Sequence, residues 1–168
     1  MVDGQTVIVV GGGLAGLSAA HTILERGGRV VLLDKCAFLG GNSTKATSGI
    51  NGAGTRAQAR LGIPDTSEVF YQDSAKSARS ELIPELTRVL TYESGSAVEW
   101  VSDKFGVDLS LVSRLGGHSQ PRTHRGKEQF PGVRINLWSR LLSVRLPKTY
   151  SHSDDHYNGA HDQARGYL

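Results

Sequence analysis

The chain has 168 residues, enough for one domain with a core of its own. A net charge of +3 with no basic block excludes a nucleic-acid footprint, and no apolar run approaches the ~20 residues that span a bilayer, so neither nucleic acid nor membrane is an expected partner. Cys36 is the sole cysteine, so no disulfide forms within the chain; no charged-then-apolar leader precedes Val7, and a cytoplasmic location is expected, with an organelle left open.

The first predicted element is a buried strand, Val7-Ile8-Val9-Val10, running straight into Gly11-Gly12-Gly13-Leu14-Ala15-Gly16. That order suits a dinucleotide pyrophosphate: Gly11 permits the tight turn, Gly13 lets backbone N–H groups approach the phosphates, and Gly16 lets the helix pack close to the sheet. A helix is predicted over Leu14–Arg26, with Leu14, Leu17, Ala20, Ile23 and Leu24 on one face and Gly27-Gly28 as its stop. Its N-terminus faces an anion with about half a positive charge. A second parallel strand, Arg29–Leu33, ends at Asp34, where an acid can accept hydrogen bonds from a ribose diol. The acid argues against a 2′-phosphate, and so against NADP. The rival reading is a glycine-rich turn of some other α/β protein.

After a loop over Lys35–Leu39 comes a stretch rich in glycine, serine, threonine and asparagine, Gly40–Thr55. Small side chains let a flat ring lie against backbone, and the hydroxyls, amides and N–H groups can bond a cofactor. The rival is a flexible linker, against which Ala46, Ile50 and Ala53 keep a rough helical spacing. Three helices follow: Ser67 to about Arg79, capped by Asp65 or Thr66; Pro84 to about Tyr92; and one capped by Ser94 and stopped by Gly106. A short strand is predicted over Val107–Val112. A third informative stretch, Leu115–Lys127, gathers His118, His124, Arg122 and Arg125. It can bring cations and imidazoles to an anionic ligand or a reduced flavin. Its rivals are a basic surface loop and a metal site, the latter without nearby Cys, Asp or Glu ligands.

Together these stretches resemble the soluble FAD-dependent fumarate reductase family, the osmotic-sensitivity-type flavoproteins of fungi, from about Thr6 to Gly132. The resemblance rests on Gly11–Gly16, Leu33-Asp34-Lys35, Gly40-Gly41-Asn42-Ser43 with Ser48-Gly49-Ile50-Asn51, and Gly116-Gly117-His118-Ser119 with Arg122-Thr123-His124-Arg125. It implies a Rossmann-like α/β FAD-binding domain with a parallel sheet, here incomplete. It places the pyrophosphate on Gly11, Gly13, Ala15 and Gly16, the adenosine ribose on Asp34 with Lys35 beside it, and the flavin end on Asn42, Ser43, Ser48 and Gly49. His118 and His124 inherit a cofactor role from the same resemblance. Membrane-bound relatives attach the flavin through a histidine in the second loop; none lies between Cys36 and Gly117, so the resemblance implies non-covalent FAD.

The family reaction is hydride transfer from reduced FAD to fumarate, giving succinate. The groups that clamp the dicarboxylate and supply the proton belong to later parts of the family chain, so no catalytic residue is assigned here. Three of six histidines, three of five tyrosines and no glutamate lie after Gly132. That composition shift divides the chain into residues 1–132, the N-terminal part of an FAD-binding domain, and 133–168, a divergent and poorly ordered tail, as from a frameshift or a truncated copy. A basic amphipathic helix at Ile135–Leu146 is the rival for that tail. Three functions stand at this point: a fumarate reductase-type oxidoreductase module, a catalytically inactive FAD- or nucleotide-binding fragment, and an NAD-binding Rossmann domain. The second glycine loop favours FAD over NAD.

Overall fold

The computed structural model describes residues 5–46 and 48–126. The expected tail and its rival helix lie outside the described residues.

The apolar run forms β1, Thr6–Val10, and the glycines after it release the chain into α1, Leu14–Glu25. The α1 C-terminus closes on glycine as anticipated: Gly27 has φ +78°, and the Gly27 and Gly28 N–H groups donate to Leu24 O and Ile23 O, both at 3.0 Å. The chain then enters β2, Arg29–Leu33, which pairs parallel with β1 from Thr6↔Arg29 to Val10↔Leu33. The element bounds match the sequence reading almost residue for residue, but β1 is not the buried strand expected: Ile8 and Val10 are exposed, because among the described residues β1 pairs only with β2 and its outward face is uncovered.

The second glycine stretch differs from its expected helical spacing. It forms a 3₁₀ turn over Gly41–Lys45 and a two-residue strand, β3, Ile50–Asn51. Glycines with positive φ at 40, 41 and 49 break the helical path. A short helix then appears, α2, Arg56–Arg60, held by a capping box in which Thr55 and Gln58 satisfy each other's backbone N–H.

Three helices follow as read, α3 (Ser67–Ala78), α4 (Pro84–Tyr92) and α5 (Ser94–Phe105). Thr66 caps α3 by accepting from Val69 N at 3.1 Å, which leaves Asp65 free for another task. Ser94 does not cap α5. Glu93 holds the cap position, while the Ser94 hydroxyl donates to Thr91 O and accepts from Ala53 N. The predicted strand at 107–112 shifts to β4, Leu111–Ser113. Val107 and Leu109 are instead buried in the core, and pairing with β5, Thr123–Arg125, begins only at Leu111. β3, β5 and β4 make an antiparallel sheet in that order.

The core lies where α1 meets α5: Leu17, Val98, Val101, Phe105, Val107 and Leu109, with Leu14, Leu32, Leu39 and Ile50 packed against it. Leu14 follows the first glycine turn, while Leu39 and Ile50 flank the second, so one apolar cluster sets both turns in place. Among the described residues no helix is long and apolar enough to cross a membrane.

Candidate cofactor site

Each glycine of the first turn is held to a different requirement. Gly11 has φ +100°, a region that L side chains rarely adopt, and its N–H donates to Leu33 O at 2.7 Å. A Cβ on Gly16 would lie 1.7 Å from Gly11 O, so the first turn of α1 rests directly on that carbonyl. A Cβ on Gly12 would lie 2.2 Å from Leu39 Cδ2, a constraint that sequence reading missed and that the unbroken run of three glycines signals. Gly13 is different. The nearest atom to its would-be Cβ is Gly40 O at 3.9 Å, an ordinary van der Waals contact, so a methyl group would fit there without a clash. No side chain caps α1 from Gly13, and Ser43 Oγ approaches Leu14 N at 3.4 Å. A Cβ-sized space beside a helix N-terminus, where Leu14 N donates to Ser43 Oγ only at 3.4 Å, suits a phosphate oxygen.

The second loop docks on the first, backbone against backbone. Gly40 N donates to Gly12 O at 2.7 Å, and a Cβ on Gly41 would lie 3.8 Å from Gly13 Cα. Asn42 is exposed on the 3₁₀ turn and Ser43 is half-buried toward α1. Asp34 joins the same group: Oδ2 accepts from Gly12 N at 2.7 Å and Oδ1 from Cys36 N at 2.8 Å. The Cys36 and Gly12 N–H groups hold its carboxyl below the usual range, and the nearby Lys35 charge adds to this. Each oxygen keeps a lone pair for a ribose hydroxyl. Lys35 itself is exposed, as is Ala15.

Ser48 and Gly49 sit beside the second sheet. Ser48 is exposed, and Gly49 has φ +128° with a would-be Cβ 2.3 Å from His124 O, so β5 runs directly against this segment. His124 is fully buried. Its Nε2 lies 2.7 Å from Thr55 Oγ1 and its Nδ1 2.8 Å from Arg122 O, so both ring nitrogens are used within the protein. Burial pushes its pKa down, against the raising effect of bonds to the Arg122 and Ile50 backbones. His118 is half-buried, with Nδ1 3.3 Å from Arg122 Nη1 and Nε2 3.4 Å from Asn51 Nδ2. It too is pushed down, by burial first and by the Arg122 charge second.

Arg122 is not the surface cation that its loop suggests. It is fully buried, with Nε and Nη2 on the two oxygens of Asp65 at 3.0 and 2.8 Å and Nη1 2.8 Å from Asp73. Its guanidinium carbon lies 4.6 Å from the Phe70 ring centroid. Gln58 extends the network by donating to Asp65 Oδ2 and Pro121 O, both at 2.8 Å. The partners come from α3 and the segment before it, so no local pattern discloses the pairing. The spacing Thr55-Arg56-Ala57-Gln58 is a local signal for the start of α2, which the sequence reading missed, and it does not disclose the pairing with Arg122.

Gly11–Gly16, Asp34 and Gly40–Ser43 thus form one group, and Ser48, Gly49, His118 and His124 form another around β3 and β5. The first group fits a dinucleotide. A Cβ-sized space lies at a helix N-terminus near the Ser43 hydroxyl, and the Asp34 carboxylate is bonded to the neighbouring Gly12 N–H.

The family described as FAD binding domain matches residues 6–149 of this chain. A fumarate reductase of Schizosaccharomyces pombe is 57% identical over 119 residues, which are 71% of this chain and 23% of that protein. Fumarate reductase 1 of Saccharomyces cerevisiae is 43% identical over 126 residues, 74% of this chain and 27% of that protein. The solved open conformation of a flavocytochrome c3 fumarate reductase superposes with TM-score 0.76 at 32% identity, covering 83% of this chain and 25% of its own. The chain therefore spans about a quarter of the length of these relatives.

Proposed function

Since the chain belongs to the FAD-binding-domain family, we propose that it holds FAD non-covalently, as the cofactor-binding part of an oxidoreductase that reduces fumarate to succinate. The observation that carries this reading is the unobstructed Cβ position at Gly13, beside the α1 N-terminus where Leu14 N donates to Ser43 Oγ. When bound and reduced, FAD supplies the hydride for a carbon–carbon double bond. Gly11, Gly13, Ala15 and Gly16 hold the pyrophosphate with backbone N–H groups and the α1 dipole. Asp34 binds the adenosine ribose with Lys35 beside it. Asn42, Ser43, Ser48 and Gly49 line the remainder. His124 acts from behind this lining, since its own nitrogens are bonded to Thr55 and Arg122. The family match sets aside the NAD alternative, and the cytoplasmic expectation belongs to the same reading.

A second reading, FAD binding without turnover by these 168 residues, is supported by two of the arginines. Arg122 is committed to Asp65 and Asp73, and Arg56 to Glu99 and Asp103. Neither is free to clamp a dicarboxylate, and such preorganised charge is what stabilises the transition state. Titrating the purified chain with FAD, followed by flavin fluorescence and absorbance, tests the first reading. A fumarate assay with a reduced dye tests the second. The expected result is saturable FAD binding, no competition by NAD and no fumarate reduction by this chain alone. A protein that leaves FAD fluorescence unchanged would overturn the cofactor assignment.

A further inference from the structure

Asn51 is exposed, yet its amide is held at both ends. Thr123 Oγ1 lies 2.7 Å from Oδ1, and His118 Nε2 lies 3.4 Å from Nδ2. An exposed side chain loses rotamer freedom when fixed this way, so the clamp specifies an orientation. Behind it stands Arg122. A guanidinium only donates, so His118 Nδ1, 3.3 Å from Nη1, must be an acceptor. The neutral ring then carries its proton on Nε2, facing Asn51. With the amide turned so that its oxygen faces His118, the Nε2–H meets an acceptor, and Thr123 Oγ1 accepts from the amide NH₂ in place of donating to Oδ1.

The relay is rooted in rigid parts of the fold. Asp65 and Asp73 fix the guanidinium, and Asp73 also accepts from Ser119 N and Oγ, both at 2.8 Å, which pins the residue after His118. Phe70 packs edge-on against the His118 ring at 5.9 Å. Thr123 is buried on β5, opposite Asn51 in the register.

We propose that His118 is a positioning residue for the cofactor site and acts through Asn51. The relay Arg122–His118–Asn51–Thr123 fixes the Gly49–Asn51 segment while His118 stays behind it. This rests on the reading above that Ser48 and Gly49 line the FAD site. It gives His118 a different task from direct contact with the cofactor.

The test uses the whole chain labelled with ¹⁵N at histidine and asparagine. Long-range ¹H–¹⁵N spectra should show His118 protonated at Nε2 and bare at Nδ1, and the Asn51 side-chain amide should exchange more slowly than a free exposed amide. His118→Ala should release that amide and raise the FAD dissociation constant about tenfold. His118→Gln, which can accept from Arg122 and donate toward Asn51, should restore both. A residue that only stabilises the fold would move the melting temperature and leave the Asn51 exchange alone. An Nδ1–H tautomer, or an Asn51 amide that exchanges equally fast in wild type and His118→Ala, overturns the relay, and the tautomer decides even if the alanine variant unfolds. Released exchange with unchanged FAD affinity overturns the link to the cofactor. A wild-type chain that binds no FAD overturns the cofactor reading and that link, while tautomer and exchange still decide the relay itself.

Discussion

The backbone N–H of Gly12 donates to Oδ2 of Asp34 at 2.7 Å, joining the acid that ends β2 to a glycine turn 22 positions earlier. The same carboxylate accepts from Cys36 N through its other oxygen. It therefore fixes the shape of the turn in addition to the ribose-binding role proposed for it.

Asp34→Asn should weaken FAD binding almost as much as Asp34→Ala. An amide has one oxygen, so either Gly12 N–H or Cys36 N–H must face an NH₂ group. Fluorescence titration should show a rise of about tenfold in the dissociation constant for both. Because the Cys36 and Gly12 bonds depress the folded-state pKa, this contribution is present above the ordinary carboxylate value of about 4. It is lost only as pH falls through the lower folded value. FAD affinity that changes across pH 5–7 in wild type but not in Asp34→Ala would contradict this.

The two turn glycines should separate folding from binding. Gly16→Ala places a methyl 1.7 Å from Gly11 O and should cost about 1–3 kcal/mol of stability as well as the cofactor. Gly13→Ala meets nothing nearer than 3.9 Å, at an ordinary φ of −76°, so urea unfolding should be nearly unchanged. Its methyl would occupy the space assigned to a phosphate, and FAD binding should be lost. Full affinity in Gly13→Ala would place the pyrophosphate elsewhere.

Arg122→Met should destabilise the chain by about 3–5 kcal/mol, because Asp65 would stay buried without its charge partner. Arg122→Lys should not rescue, since an ammonium cannot span both Asp65 oxygens and Asp73 as the fork does. Adding Asp65→Leu to Arg122→Met should recover part of the loss. Equilibrium urea denaturation reads all three.

Stability should fall on mild acidification. His124 and His118 are both held below the ordinary histidine pKa, chiefly by burial. The unfolded chain then binds protons that the folded chain refuses, so stability is level above about pH 6.5 and declines below it. Melting temperature measured from pH 7.5 to 5.5 should show this break. His124→Gln, which cannot titrate, should make the decline shallower.

The strand–turn–helix–strand unit was legible because its information is local. Periodicity, glycine positions and the closing acid all lie within one stretch of chain, and the helix and strand bounds follow. What lay beyond reading depends on distant partners. Nothing around Arg122 says that Asp65, 57 positions away, will bury with it. Ser94 has a cap residue's chemistry, but Ala53 N claims its oxygen from another loop. Val107 and Leu109 alternate as a strand would, yet they face the core, and among the described residues no strand pairs with them. The candidate site divides the same way. Gly11–Gly16 and Asp34 were readable from spacing, whereas the burial of His124 and the clamp on Asn51 required the fold.

Gly40 N meets Gly12 O, and Gly41 meets Gly13, with no side chain between them. Leu39 packs beside this seam at Gly12 and Ser43 Oγ meets Leu14 N at its end, so the loop and the α1 N-terminus share one boundary. By linkage, any anion that settles at the α1 N-terminus should shield the Gly40–Lys45 loop from proteolysis in proportion to its occupancy. The loop thereby becomes a reporter of the cofactor, readable on a gel without any absorbance from the flavin.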